Sequence, residues 1–280
     1  FSLLWATLVY APVCHWVWGG GFMGAGGMEA LDFAGGTVIH INAGVAALVC
    51  CIVLGKRHGY PDRSIPPHNL PFALLGAGIL WFGWFGFNAG SALYANGQAA
   101  SAFVATNTAA AAAAVTWPLI EWFAGEKRPT MLGAATGAVA GLVGITPAAG
   151  FVGPMSAIII GVGASVIGYI FVAIIKPKLG YDDSLDVFGV HGMCGLWGAL
   201  ATGLFAHHAI GGADGLFFGN AAQFVTQALS AGITIVYSVV VSFIILKITD
   251  VLVGLRVTEQ QELIGLDLTL HHESGYTVLD

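Results

Sequence analysis

Two histidines are the residues of this sequence best placed to do chemistry, because each lies inside a long apolar segment. His40 ends the run Asp32-Phe-Ala-Gly-Gly-Thr-Val-Ile-His40, and His191 ends Asp186-Val-Phe-Gly-Val-His191. Ionisable side chains in such segments are costly, and they usually face the interior of a helix bundle or a pathway through it. If the two imidazoles meet, the pair can accept and donate hydrogen bonds in turn, which suits a weak base or a proton.

The segments around these histidines belong to a chain whose composition is that of a membrane protein. Of its 280 residues, 57% are hydrophobic and only 9% are charged, and the mean hydropathy is +0.83. A soluble chain carries about 25% charged residues. The 41 glycines suit helices that approach closely in lipid, as in the stretch 133–144. The sequence therefore predicts an all-α fold, a polytopic transmembrane helical bundle in a lipid bilayer.

The apolar segments are long enough for several spans, since a spanning helix needs roughly 20 mostly apolar residues. We expect the last helix, at about 50 Å, to be tilted or to project beyond a hydrocarbon core of about 30 Å. Residues 1–17 form a partial additional span. The predicted full spans are 32–54, 69–94, 99–123, 130–148, 154–176, 186–206 and 220–252.

The positive charges predict the orientation, because cytoplasmic loops hold the excess of lysine and arginine. These residues fall on alternate connections, so the loops near 18–31, 95–98, 149–153 and 207–219 are expected outside. The tail is then cytoplasmic, and the chain divides into a transmembrane domain, 1–255, and a tail, 256–280. The charges that define the cytoplasmic side are Lys56, Arg57, Arg63, Lys127, Arg128, Lys176, Lys178, Lys247 and Arg256.

The two histidine segments enter the bilayer from opposite sides, which is the pattern of an inverted repeat. Transporters built in this way place their sites near the midplane, where the repeats meet. A histidine pair in one pore is one interpretation. Two unrelated core histidines, each bonded to a backbone carbonyl, are the other, and the residues alone do not choose between them.

Other candidate residues lie at the outer ends of the predicted spans. Asp32 can neutralise a cation or cap its own helix, and the cap is the favoured direct role. Trp18, Phe87 and Ser91 offer the aromatic faces and hydroxyl that a cation-binding mouth needs. Interfacial aromatic residues are also ordinary membrane anchors, so this assignment stays open on composition alone.

Several classes of function fit the sequence poorly. A net charge of −6 without a basic tract argues against nucleic-acid binding. The four cysteines lack metal-ligand spacing and no HExxH motif occurs, so we expect neither a metal, nor a cofactor, nor an enzyme. A seven-helix retinal receptor would need a lysine at mid-membrane, whereas Lys247 lies near the cytoplasmic end of its span.

A set of motifs, taken in order, resembles the Amt family of ammonium transporters along almost the whole chain. The resemblance implies an Amt-like homotrimer of eleven-span subunits, each with a pore between two inverted repeats. The chain would cover the partial fourth span through the eleventh, and Phe1 inside an apolar run suggests an N-terminal truncation. The motifs are Val-Trp18-Gly-Gly-Gly, the two histidine runs, Pro67-His68-Asn69-Leu-Pro71, Trp84-Phe-Gly-Phe87-Asn88-Ala-Gly-Ser91, Gly144-Ile-Thr146-Pro-Ala and Gly254-Leu-Arg256-Val.

The resemblance also implies roles for single residues. Trp18 and Ser91 would bind ammonium or methylammonium at the outer vestibule, Phe87 would be a gate residue, and Asp32 would support the mouth. His40 and His191 would be the paired pore histidines. The protein would then lie in the plasma or inner membrane, with a tail that couples subunits and meets PII signalling proteins. An ammonium sensor of the same family and an Rh-type gas channel are the alternatives, although Trp18 and Ser91 favour Amt over Rh.

Overall fold

The structure of the protein is a computed structural model that describes residues 1–62 and 65–276. Within these residues the chain is all-helical and has no β-strand, as predicted. Arg63, one of the charges used for the predicted orientation, lies outside the described residues, as do residues 277–280 of the tail.

The bundle follows the predicted order of apolar segments. Helix α1 consists of three consecutive helical pieces, Ser2–Trp5, Ala6–Tyr10 and Ala11–Trp18. All but one of the later helices of the bundle are long and apolar enough to cross a bilayer, and α5 is the shorter one. They are α2 (Gly36–Leu54), α3 (Leu70–Gly90), α4 (Gly97–Phe123), α5 (Met131–Ile145), α6 (Pro154–Leu179), α7 (Phe188–Phe205) and α8 (Ala221–Val253).

Helix α5 is shorter than the span predicted at 130–148. It has 15 residues, which extend over about 22 Å at 1.5 Å per residue and fall short of a hydrocarbon core of about 30 Å. The helix ends at Ile145 because Pro147 follows closely, and proline has no N–H with which to continue the ladder. Residues 146–150 form a buried turn instead. The helix is therefore shorter than the predicted span, and a buried turn replaces its last part.

Small residues let α5 lie directly against its neighbours, as the glycine content predicted. A Cβ on Gly141 would stand 2.6 Å from the carbonyl oxygen of Ala109 in α4, and one on Gly144 would stand 2.7 Å from the Cβ of Ala164 in α6. Neither Gly141 nor Gly144 could be replaced by a larger residue without a clash. The backbones of α4, α5 and α6 thus form a closely packed unit behind the histidine helices.

An ion pair shows that α2 and α7 run in opposite directions. Arg57, just after α2, holds Asp182, just before α7, through Nη2 and Oδ1 at 2.7 Å. Burial would raise the pKa of Asp182, but the hydrogen bonds from Arg57 outweigh it and the pKa falls below the usual 3.8. The end of α2 and the start of α7 therefore lie at one end of the bundle, as an inverted repeat requires.

The segment after α8 folds back onto this same end, which we call the tail end. Arg256 donates to the carbonyl of Leu54 at 3.0 Å and pairs with Glu262 at 2.9 Å. Glu262 belongs to the short helix α9 (Glu259–Ile264), and its Oε1 accepts from the backbone N–H of His58 at 2.6 Å. The segment is thus held by directed hydrogen bonds rather than by a large apolar face.

Lowering the pH should release this docked segment. The amide of His58 and the guanidinium of Arg256 hold the pKa of Glu262 below its usual 4.5. The contact is therefore complete above pH 4.5 and is lost as the pH falls through the lower folded value. A spin label at Ser274 should become more mobile between about pH 7 and about pH 3 in electron paramagnetic resonance spectra.

The matched control is Glu262→Gln, which should leave the label mobile at both pH values because the charged acceptor is gone. A label whose mobility is constant in the wild-type protein over this range would contradict the assignment of Glu262 as the residue that holds the segment.

Candidate functional site

The structure brings the two histidines together. Nδ1 of His40 lies 3.1 Å from Nδ1 of His191, and their ring centroids are 5.2 Å apart. Each residue occupies a π-helical turn at the start of its span, Gly36–Ile41 in α2 and Phe188–Met193 in α7. Such wide turns redirect a side chain and are frequent at functional sites. His40 is 3% exposed and so lies inside the bundle, whereas His191 is half-buried.

Aromatic rings of α3 surround His40. The ring of Trp84 stacks on the imidazole at 5.3 Å with an interplanar angle of 15°, and the ring of Phe87 meets it edge-on at 5.9 Å. The indole N–H of Trp84 donates to Oγ1 of Thr146 at 2.9 Å, which fixes the stacking ring. The Nε2 atom of His40 is buried and has no hydrogen-bond partner in residues 1–62 and 65–276. That nitrogen is free for a small ligand.

The rings can meet because glycines bring the two helices into backbone contact. A Cβ on Gly44 would overlap the backbone nitrogen and Cα of Gly192. A Cβ on Gly195 would lie 2.9 Å from the Cβ of His40. Any larger residue at these positions would push α2 and α7 apart and separate the imidazoles.

The hydrogen bond between the rings limits their protonation. One Nδ1 has to donate and the other has to accept, whereas an imidazolium ring can only donate. Two imidazolium rings cannot share this bond, and two adjacent positive charges are also disfavoured in apolar surroundings. At most one of the two rings can therefore be an imidazolium. Moving that proton from one ring to the other requires the two Nδ1 atoms to exchange their donor and acceptor roles.

Asp32 caps α2, which is the role that the sequence favoured. Its Oδ1 accepts from the amides of Gly35 and Gly36 at 2.9 and 2.6 Å, and its Oδ2 accepts from Thr37 and Val38 at 2.9 Å each. The turn needs a left-handed residue, which Gly35 supplies with a φ of 117°. These bonds fix the start of the helix that carries His40.

A second contact of Asp32 holds Trp18. The backbone carbonyl of Asp32 accepts from the indole N–H of Trp18 at 2.7 Å, and the ring itself remains 42% exposed. One residue therefore positions both an exposed aromatic face and the helix of the buried pair.

The quoted run of His191 begins with Asp186, as that of His40 begins with Asp32, but the two aspartates have different partners in the structure. The carboxylate of Asp186 pairs with Lys176 instead. The backbone N–H of Phe188 donates to Oδ2 of Asp183 at 2.8 Å, so Asp183 caps this helix. Asp183 precedes His191 by the same number of residues as Asp32 precedes His40, and this spacing was the signal that identifies it.

Ser91 and Phe87 form a separate pair at the end of α3. The hydroxyl of Ser91 donates to the carbonyl of Phe87 at 2.9 Å, within the same helix. Phe87 reaches His40, as described above, whereas no hydrogen bond in the described residues joins Ser91 to Trp18. The structure thus connects Phe87, His40 and His191 directly, and Trp18 to them only through Asp32.

Trp84 is a site residue that the sequence analysis quoted in a motif without giving it a role. It precedes Phe87 by one helical turn, so both rings face the same side of α3 and reach His40. No group of three or more His, Cys, Asp or Glu side chains in residues 1–62 and 65–276 is arranged to hold a metal ion.

Apolar helices long enough to cross a membrane, with two histidines in contact between them, are typical of a helical-bundle membrane transport protein. The profile of the Ammonium Transporter Family matches residues 1–276. The chain is 54% identical to an ammonium transporter of Bacillus subtilis over 278 residues, covering 99% of this chain and 68% of that protein. It belongs to the ammonium transporter family.

Other comparisons agree in family and in fold. An ammonium transporter of Aquifex aeolicus is 53% identical, with 99% of this chain and 64% of the relative covered. The crystal structure of Candida albicans Mep2 superposes with a TM-score of 0.84 at 37% identity, covering 92% of this chain and 59% of that one. The chain thus spans about two thirds of its sequence relatives. These relatives are transporters, in agreement with the expectation that the chain is not an enzyme.

Replacing Gly44 by alanine should destabilise the fold, because the added methyl group has no space beside Gly192. Overpacking of this kind costs about 1–3 kcal/mol. We expect a lower midpoint of thermal unfolding in detergent for Gly44→Ala, while Gly232→Ala, whose added methyl group meets open space in α8, leaves the midpoint unchanged or slightly raised. Equal midpoints for Gly44→Ala and the wild-type protein would refute the backbone contact.

Replacing Asp32 by alanine should destabilise the start of α2, since four backbone N–H groups lose their acceptor. The loss of one helix cap costs about 1–2 kcal/mol, and further buried unpaired amides add to this. Asp32→Asn keeps one oxygen acceptor and should fall between Asp32→Ala and wild type in thermal unfolding. An alanine variant as stable as the asparagine variant would contradict the capping role.

Proposed function

We propose that the protein moves ammonium across the cell membrane. Ammonium is recruited at an outer vestibule near Trp18, Ser91 and Asp32 and passes the gate residue Phe87. It then loses its proton and crosses an apolar pore lined by His40 and His191. Methylammonium is transported in the same way. The chain spans about two thirds of its relatives' length, so the activity of the whole protein is part of this proposal.

The observation that carries the proposal is the contact between the two imidazoles at 3.1 Å. The contact lies between antiparallel helices, where transporters with inverted repeats place their sites. In the proposal, this nitrogen pair exchanges a proton, and Nε2 of His40, which has no hydrogen-bond partner among the described residues, faces the ligand. The named ammonium transporters at 54% and 53% identity support the same substrate.

The surroundings of the pair favour a neutral ligand at its centre. Trp84 and Phe87 present ring faces and edges to His40 and supply no anion to balance a cation. An ammonium ion is stabilised at an aromatic mouth but would lose its hydration between these walls. Release of the proton before or during passage reduces that cost, because a charge is far more expensive than a neutral amine in apolar surroundings.

The orientation and the assemblies belong to this proposal as well. The lysines and arginines near the tail end would place that end in the cytoplasm, in a plasma or inner membrane. The protein would act as a homotrimer, with residues 1–255 as the transmembrane domain and residues 256–280 as a cytoplasmic tail. The docked segment around Arg256 and Glu262 would be the part that meets a PII signalling protein.

A sensor is the second candidate function. A solved structure described as a sensor Amt protein superposes with a TM-score of 0.83 at 33% identity, covering 93% of this chain. In a sensor, the same site would bind ammonium and report its presence through the tail with little flux. An Rh-type gas channel fits less well, because Trp18 and Ser91 favour the Amt type.

The proposal is tested by uptake. The protein expressed in a strain without its own ammonium transporters should restore growth at low ammonium and take up labelled methylammonium. Replacing both histidines by leucine removes the nitrogens that would take up and pass on the proton, and we expect uptake to fall by about tenfold or more, equivalent to a barrier about 1.4 kcal/mol higher. His208→Ala is the control, because this exposed histidine lies in the short helix His208–Gly211 between α7 and α8, outside the histidine pair.

Uptake has to be compared at equal amounts of protein in the membrane. A wild-type protein that neither binds nor transports ammonium or methylammonium would refute the proposal. Binding without flux would favour the sensor. A double leucine variant with wild-type rate and selectivity would leave the histidines without the proposed role.

A further inference from the structure

A buried glutamine on α8 connects the two histidine helices with the residues that hold Trp18. Gln227 is 1% exposed. Its Oε1 accepts from the backbone N–H of Leu31 at 2.7 Å, and its Nε2 donates to the carbonyl of Leu31 at 2.7 Å and to that of Ala199 at 3.1 Å. Ala199 lies in α7, the helix of His191.

The amide of Gln227 is fully used. Its oxygen also accepts from Nε2 of Gln223 at 3.3 Å, so both donors and both acceptor positions of the side chain have partners. Glutamate of the same size would lose both donors, and leucine would leave the N–H and the carbonyl of Leu31 unpaired. Unpaired buried groups of this kind are costly, so only glutamine satisfies all the groups around this position.

Leu31 is significant because Asp32 is the next residue. Gln227 forms hydrogen bonds with both the backbone N–H and the carbonyl of Leu31, and Nε2 of Gln223 donates to the carbonyl of Glu29 at 3.1 Å. The carboxylate of Asp32 caps α2, and the backbone carbonyl of Asp32 accepts from the indole N–H of Trp18 at 2.7 Å. The link from Trp18 to α2 is Asp32 itself, whereas the side chain of Gln227 links this segment to Ala199 of α7.

We propose that Gln227 is a positioning residue of the ammonium-recruiting site. It fixes the segment 29–32, and through this segment the exposed ring of Trp18, against α7 and α8. This inference rests on the proposed function. The cap on α2 consists of bonds within residues 32–38, so α2 and the histidine pair keep their local structure when Gln227 is replaced. The effect should fall on recruitment more than on passage.

The test separates these two steps by measuring methylammonium uptake over a range of concentrations. For Gln227→Leu, we expect the KM to rise about tenfold, equivalent to about 1.4 kcal/mol, while the maximal rate per molecule in the membrane changes by less than about twofold. Gln227→Glu retains the acceptor for Leu31 and should have an intermediate KM. An unchanged KM, or a loss of maximal rate alone, would overturn the proposal.

The matched control is Ser242→Ala, also on α8. The hydroxyl of Ser242 accepts from the indole N–H of Trp5 at 3.1 Å, so the variant removes a buried hydrogen bond far along the helix from Leu31. We expect its KM to equal that of the wild-type protein. A KM that rises equally in Ser242→Ala would mean that Gln227 acts only through general stability, and the proposal would be wrong.

Hydrogen exchange provides a measurement that does not depend on transport. Peptides covering residues 29–35 should exchange faster in Gln227→Leu or Gln227→Glu than in wild type, and they should be unchanged in Ser242→Ala. If the wild-type protein does not transport, the proposed function fails while this measurement still decides whether Gln227 fixes the segment. Equal exchange in all variants would refute the positioning role itself.

Discussion

The contact between the backbones of α2 and α7 is the constraint on which the rest of the structure depends. Gly44 and Gly192 meet with no space for a side chain, and this closeness lets two imidazoles share a hydrogen bond. In lipid, helices gain little from burying apolar surface, so close packing has to hold them together. The same principle brings α4, α5 and α6 together through Gly141 and Gly144.

Asp32 and Gln227 form hydrogen bonds with backbone groups near the start of α2. The carboxylate of Asp32 satisfies the free amides at the start of α2, and Gln227 satisfies the backbone of Leu31 just before it. Both residues act on the chain that leads to Trp18 and His40. Interactions that keep the fold intact at this end thus also define the geometry of the proposed recruiting site, because leaving these buried backbone groups without a partner would be costly.

The two halves of the site are related but not equal. Asp32 and Asp183 stand at the same distance in sequence from their histidines, yet Asp32 accepts four backbone bonds and Asp183 accepts one at Phe188. The chain around the start of α7 forms ion pairs instead, between Lys176 and Asp186 and between Arg57 and Asp182. One end of the site is therefore fixed by helix capping, and the other by charge pairs at the tail end.

The sequence by itself determined that the protein is an all-helical membrane bundle, where its apolar segments lie, that the two histidine segments oppose each other and which family it belongs to. These properties follow from composition, local hydropathy and ordered motifs. Only the tertiary structure decided that His40 and His191 meet, that Trp84 stacks on His40 and that α5 ends at Ile145. It also decided that Asp183 caps α7, while Asp186 pairs with Lys176. Residues 151 positions apart in the chain meet only where glycine backbones allow close approach, and that depends on packing between helices, which local patterns do not encode.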